Sequence, residues 1–224
     1  MTRIDWPFSP FDVFNPVVGC KHGCIFCYAK RMNTRFKFIP VWENPVFFWD
    51  KLQKPYKTKK PTTYFVGSMC DLFGEWIIDD WIKQVITVCQ DNPLHAFLFL
   101  TKNPRRYLQF DFPDNVMLGV TITHFSLKAD VDRRIMQDVS KSNRTFASIE
   151  PIMSGFNANG YIMFKTFELL IVGAMTGPEA VRPKKEWIES IKHPNIYYKA
   201  NIRKLFPELK NNIYELQRSP ADSK

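Results

Sequence analysis

Along the 224 residues, short apolar runs rich in Val, Ile and Phe alternate with longer amphipathic or polar stretches. The apolar runs are "PVVGC" (16–20), "TTYFVGSM" (62–69), "AFLFLT" (96–101), "VMLGVTIT" (116–123), "RTFASIE" (144–150), "ELLIVGA" (168–174) and "NIYYKA" (195–200). They are nearly continuous rather than strictly alternating, the pattern of strands covered on both faces in a parallel sheet. Between them, "EWIIDDWIKQVITVCQ" (75–90) sets Trp76, Ile77, Trp81, Val85 and Val88 along one stripe. Asp79, Asp80, Lys83 and Gln84 fall largely opposite, so an amphipathic helix is predicted. "LKADVDRRIMQDVSK" (127–141) and "PKKEWIESIKH" (183–193) read the same way, with Pro183 suited to a first helical turn. Residues 29–60 are richer in aromatics and are predicted to hold a helix plus an irregular excursion.

Strand–helix alternation implies an α/β fold with right-handed crossovers. Six or seven such repeats fall short of eight, so a partial, laterally open (β/α)6 TIM-like barrel is expected, with a doubly wound sheet as the alternative. In either, function gathers at the carboxyl ends of the strands. A single domain is expected over 1–206, followed by a tail, 207–224, with a short closing helix and a frayed end.

Composition sharpens this picture at two points. No apolar run reaches membrane-span length, and "MTRIDWPFSPFDVF" lacks a signal-peptide pattern, so a soluble, cytoplasmic protein with reduced thiols is expected. The net charge of +9, from 31 Lys+Arg against 22 Asp+Glu, is spread through "KRMNTRFK", "KLQKPYKTKK", "TKNPRR" and "RPKK". Such a field favours polyanionic partners, nucleic acid among them; a merely solvated basic surface is the plainer reading.

The candidate chemistry lies in "NPVVGCKHGCIFCYAKR", where Cys20, Cys24 and Cys27 follow the first apolar run at C-x3-C-x2-C spacing. Structural zinc ordinarily uses two separated ligand pairs, and Cys70 and Cys89 stand alone, although His22, His95 or His124 can be considered as a further ligand. An iron–sulfur cubane suits one loop better: three thiolates take one iron each, and the fourth iron stays open to a reactant. Gly19 and Gly23 let the backbone wrap closely. Three buried, reduced cysteines without a metal are the structural alternative.

"CKHGCIFCYA", with Phe26 at the aromatic position, resembles the motif of the radical S-adenosylmethionine superfamily. "GSMCDLFGEWI", "FLFLTKNPRR", "LGVTI", "SIEPIM" and "LLIVGAMTGPEA" extend the resemblance over most of the chain. Together they are similar to the phage-associated radical-SAM-like family of unknown function, with "GAMTGPE" replacing that family's "GGESG"-like pattern. The resemblance implies a [4Fe–4S] cluster on Cys20, Cys24 and Cys27, and S-adenosylmethionine bound to the open iron. It also implies an external flavodoxin- or ferredoxin-like electron donor, and reductive cleavage to a 5′-deoxyadenosyl radical.

On that footing Gly67, Ser68 and Met69 are candidates to face the methionyl amine with backbone carbonyls. Asp71 is either an amine ligand or, by slight preference, a cap on the following helix. Lys102 can neutralise the methionyl carboxylate. Thr121, Thr123, Ser148 and Glu150 can meet the ribose, and Phe26 and the "VGAM" segment with Gly173 can meet adenine. Cys70 is a candidate hydrogen-atom donor, Tyr28 an undecided aromatic, and Cys89 a core residue. The expected function is modification or repair of a nucleic acid. The alternatives are a radical enzyme acting on a small metabolite or protein, and a non-catalytic zinc-binding interaction module.

Overall fold

The computed structural model describes residues 4–156, 164–177 and 180–213. In chain order these form β1 (Phe11–Phe14), β2 (Val17–Val18), α1 (Tyr28–Phe36), β3 (Val46–Phe47), α2 (Gln53–Lys57), β4 (Thr63–Val66) and α3 (Asp79–Asp91). They continue with β5 (Ala96–Thr101), β6 (Val116–Thr121), α4 (Leu127–Val139), β7 (Arg144–Ile149), β8 (Leu169–Val172), α5 (Lys185–Glu189), β9 (Ile196–Tyr198) and α6 (Ala200–Arg203). Seven strands share one sheet in the order β1-β4-β5-β6-β7-β8-β9. The pairs β1–β4, β4–β5, β7–β8 and β8–β9 run parallel. This is the partial, TIM-like α/β barrel class expected from the rhythm of the sequence. By contacts the described residues fall into two compact units: Ser9–Leu118, and residues 4–8 with the described part of Gly119–Gln217.

In the unit built around Ser9–Leu118, β4 and β5 are the continuous apolar runs that the sequence promised. Their rings stack through the register, Tyr64 on Phe97 at 5.5 Å and 22°. Phe14, Tyr64 and Phe97 are fully buried. Burial of each such side chain contributes roughly 1.5–3 kcal/mol, and this fixes the sheet whose carboxyl ends carry the site. Over it α3 buries Ile82, Val85, Ile86, Val88 and Cys89. Asn115 then donates its amide to the carbonyls of Cys89, Asn92 and His95, satisfying the chain between α3 and β5.

Three boundaries differ from expectation. The first strand of the sheet is "FDVF" (11–14), whereas "PVVGC" yields only β2, paired antiparallel with β3. β1 ends the strand order, so Asp12 can stay exposed, and an edge strand need not be a continuous apolar run. α3 begins at Asp79 rather than near Glu75, with Asp79 and Asp80 in its first turn, where carboxylates favour the positive end of the helix. The 29–60 segment resolves into most of α1, the strand β3 that pairs with β2, a 3₁₀ turn at Trp49–Leu52, and α2.

In the unit with Gly119–Gln217, β8 is buried throughout and pairs with both β7 and β9. Ser126 caps α4 by accepting from the Ala129 N–H, and Asp130 in its first turn pairs with Arg133 and Arg134. Trp6 packs edge-on to Phe146 at 5.5 Å. Asp5 accepts from the Tyr197 hydroxyl and the Ala200 N–H. α5 starts two residues after Pro183. Of the expected tail helix, residues 207–213 carry a turn and a bridge between Asn212 and Ile196 instead, and residues beyond 213 lie outside those described.

Candidate functional site

The thiol loop begins where β2 ends. Gly19 has φ +113 and packs so tightly that a Cβ would stand 2.8 Å from both Pro45 Cα and Trp42 O. Its N–H donates to Met69 O, the Cys20 N–H donates to Trp42 O, and Gly19 bridges to Cys70, so the loop is rooted beside the end of β4. At the other end Cys27 is the N-cap of α1, its Sγ accepting from the Lys30 N–H at 3.3 Å. The sulfur thus satisfies one of the N–H groups that a helix start leaves without an intrahelical partner. Between them Gly23 has φ +65, and nothing lies within 4 Å of where its Cβ would be.

A hub on the far side pins the loop. His22 Nε2 lies 2.6 Å from Asp71 Oδ2, and its ring stands edge-on to Trp76 at 4.8 Å. Asp71 also accepts from the Thr101 hydroxyl at 2.7 Å, the Lys102 N–H at 2.9 Å and the Phe73 N–H at 3.1 Å. Burial alone would push this carboxyl up. The His22 ring, the Lys102 N–H and the Thr101 hydroxyl outweigh burial and hold it below its usual range. The preference for Asp71 as a helix cap is therefore corrected: α3 starts eight residues later, and Asp71 instead joins the loop, the turn after β4 and the end of β5.

The "GSMC" turn is held equally firmly. Asn15 exchanges hydrogen bonds with the Ser68 hydroxyl and accepts from the Met69 N–H. The three carbonyls at issue have partners: Gly67 O takes the Cys70 N–H, Ser68 O the Tyr28 hydroxyl at 2.7 Å, and Met69 O the Gly19 N–H. Tyr28 thus ties α1 to this turn. Burial pushes the Cys20 thiol up to about 11, with Asp71 adding to the shift and the His22 backbone and Lys102 opposing it. Burial also pushes the Cys70 thiol well up, with Asp71 and Cys20 adding. Cys20, Cys70, Asp71 and Lys102 therefore share one electrostatic neighbourhood. Phe26 is half-buried, and Cys89 is wholly in the core.

The remaining predicted residues lie in the unit with Gly119–Gln217. Ser148 is 1% exposed, and its hydroxyl has no hydrogen-bond partner among the described residues. Two residues on, Glu150 pairs with Lys199. A Cβ on Gly173 would stand 3.0 Å from the Glu150 side chain, so this glycine makes room for the carboxylate. Thr121 is half-buried, and Thr123 lies 2.9 Å from His124 Nδ1.

This donor set can be weighed against metal chemistry. A lone tetrahedral ion needs ligands converged at about 2.0–2.3 Å from one point. Among the described residues no group of three or more His, Cys, Asp or Glu is so gathered. His95 is buried against Pro55 O, and His22 is engaged by Asp71. Cys20, Cys24 and Cys27 are not so gathered either. As three thiols of one loop, with a helix N-terminus at Cys27 and open space at Gly23, they are a donor set of which each sulfur would take a separate metal of a cluster.

A family described as Protein of unknown function (DUF5131) has a model that matches residues 1–203. The chain belongs to that family. Among curated proteins none matches it. Among solved structures it is similar to spore photoproduct lyase complexed with dinucleoside spore photoproduct, at 13% identity and a TM-score of 0.51. The alignment covers 90% of this chain and 61% of that one. At this identity the likeness shows the fold alone.

Within this family member, sequence reasoning missed Asn15, Thr101 and the bond between His22 and Asp71. His22 carried a signal, since it sits inside the cysteine spacing. Asn15 and Thr101 carried none, because an Asn before Pro reads as a turn and a strand-terminal Thr as ordinary β structure.

Proposed function

We propose that the chain is a radical S-adenosylmethionine enzyme that acts on nucleic acid. Cys20, Cys24 and Cys27 hold a [4Fe–4S] cluster in this reading, and an external flavodoxin- or ferredoxin-like protein reduces it. When bound, the cluster supplies one-electron cleavage of the sulfonium cofactor and so a radical able to take hydrogen from an unreactive carbon. The observation that carries the reading is the thiol loop: three sulfurs between a rigid glycine root and a helix N-terminus, braced by His22 on Asp71.

The chain's own residues do the positioning. Asp71 fixes the loop against the ends of β4 and β5. Lys102, whose charge favours the ionised form of Cys20, is assigned to offset negative charge from the thiolates or from a carboxylate of the cofactor. Phe26, Gly67, Ser68 and Met69 are assigned to the cofactor's methionyl side. Ser148, with its unpartnered buried hydroxyl, is assigned with Thr121, Glu150 and Gly173 to its nucleoside portion. Cys70, half-buried, is the candidate for returning a hydrogen atom: desolvation favours its protonated thiol, and its S–H bond would supply the atom. That leaves a thiyl, which one electron from the external donor and one proton from solvent restore to the thiol. The substrate class is supported by the net charge of +9 and by the dinucleoside in the solved structure that shares the fold.

Anaerobic reconstitution with iron and sulfide, followed by mass spectrometry for 5′-deoxyadenosine with candidate nucleic acids present, tests this reading. A brown protein that forms 5′-deoxyadenosine and alters the nucleic acid is expected, and Cys24→Ala should abolish both. A colourless protein with stoichiometric zinc would overturn the enzyme assignment. 5′-Deoxyadenosine formed with every nucleic acid left intact would move the substrate to a metabolite or protein.

A further inference from the structure

The end of α1 carries a feature that the thiol chemistry does not use. Five consecutive residues, Thr34 to Phe38, are exposed, among them Phe36 at 51% and Phe38 at 43%. Two phenylalanines held in water are costly unless something covers them. Their rings lie 5.7 Å apart at 35°, and the Arg35 guanidinium sits over Phe36 at 5.0 Å.

This tip is built rather than loose. Asn33, only 6% exposed, donates its amide to Ile39 O and accepts from the Ile39 N–H. The Lys37 N–H closes the helix on Asn33 O. A buried asparagine and the buried Ile39 thus clamp both feet of a projecting turn. Lys37 takes φ +54, the left-handed conformation in which glycine is easier, so a charged side chain is kept at some cost in strain. Between Asp12 and Glu43 the sequence has Lys21, Lys30, Arg31, Arg35 and Lys37 and no carboxylate side chain. Glu43 pairs with Lys30 at 2.7 Å, and among the described residues no ion pair engages Arg35 or Lys37.

We infer that this tip is a docking platform for a single-stranded stretch of nucleic acid, unpaired bases stacking on Phe36 and Phe38 while Arg35 and Lys37 meet the phosphates. Base–aromatic stacking needs accessible aromatic surface, which the exposed Phe36 and Phe38 offer once a base displaces Arg35 from over the Phe36 ring. Phosphate tracking needs surface cations such as Arg35 and Lys37. The tip stands one helix from the thiol loop: α1 has nine residues from its Cys27 cap, about 13 Å of axis. The platform rests on the nucleic-acid reading above and gives that reading a location.

Fluorescence anisotropy with a labelled, mixed-sequence single-stranded oligonucleotide tests the inference on the full chain. Phe36→Leu with Phe38→Leu keeps the apolar bulk but removes the ring faces, and should weaken binding about ten-fold or more. Arg35→Gln with Lys37→Gln should lower the slope of log affinity against log salt by about 1.4. Arg134→Gln with Lys141→Gln removes the same charge from α4 and the turn after it and should leave that slope near the wild-type value. Lys37→Gly should resist urea at least as well as wild type yet bind more weakly, a combination that misfolding cannot produce. Wild-type binding that the Leu pair leaves within about two-fold would overturn the platform while sparing the nucleic-acid reading, and would leave the two rings to a protein partner. Failure of the wild-type chain to bind single or duplex strands would overturn both.

Discussion

Asp71 accepts hydrogen bonds from His22, Phe73, Thr101 and Lys102, and so gathers three separate stretches of chain at one buried carboxylate. Asp71→Asn removes the charge and sets an N–H₂ against donors, so a loss of about 3 kcal/mol at neutral pH is expected, read from urea unfolding. Because the native carboxyl is held below its ordinary value, its contribution is present above the unfolded value near about 4. It is lost as the pH falls through the native value. The gap between wild type and Asp71→Asn should therefore narrow in acid; a gap that widened below about pH 4 would contradict the assignment of charge to this site. The two loop glycines make a second contrast. Gly19→Ala drives a methyl into the backbone of Trp42 and Pro45, and a loss of about 3 kcal/mol with impaired iron loading is expected. Gly23→Ala meets only the conformational preference, about 1 kcal/mol, and should fold and load iron.

At the scale of elements, α1 depends on a cysteine for its cap. Serine is a preferred N-cap residue, so Cys27→Ser should keep the helix, with stability within about 0.5 kcal/mol of wild type, while losing iron after reconstitution. Equal iron content in that variant would remove Cys27 from the proposed ligands. The interior strands were legible because burial on both faces leaves a continuous apolar run, as in "AFLFLT" and "LLIV". β1 was not, because an edge position permits Asp12 among its residues. The cysteine spacing announced the loop. The hub that braces it stayed hidden, since His22 and Asp71 stand 49 residues apart and neither residue type declares its partner. The helix-cap reading of Asp71 failed for the same reason: local preference was overridden by a long-range partner.

For the whole molecule, the positive charge is spread along the sequence rather than confined to one run. If several of these residues meet phosphates, affinity for an oligonucleotide should fall by orders of magnitude between 50 and 200 mM salt, about 10³-fold for six contacts. Binding unchanged by salt, in the same anisotropy titration, would assign the charge to solubility alone.

Asp5 and Trp6 belong, by their contacts, with β7, β9 and α6, although more than a hundred residues of the other unit intervene before that part of the chain resumes. No single cut therefore divides the polypeptide into two self-sufficient pieces. A fragment starting at Gly119 would bare one side of Phe146 and strand the Ala200 amide, so recombinant dissection should add residues 4–8 back as a separate peptide, or splice them on by permutation.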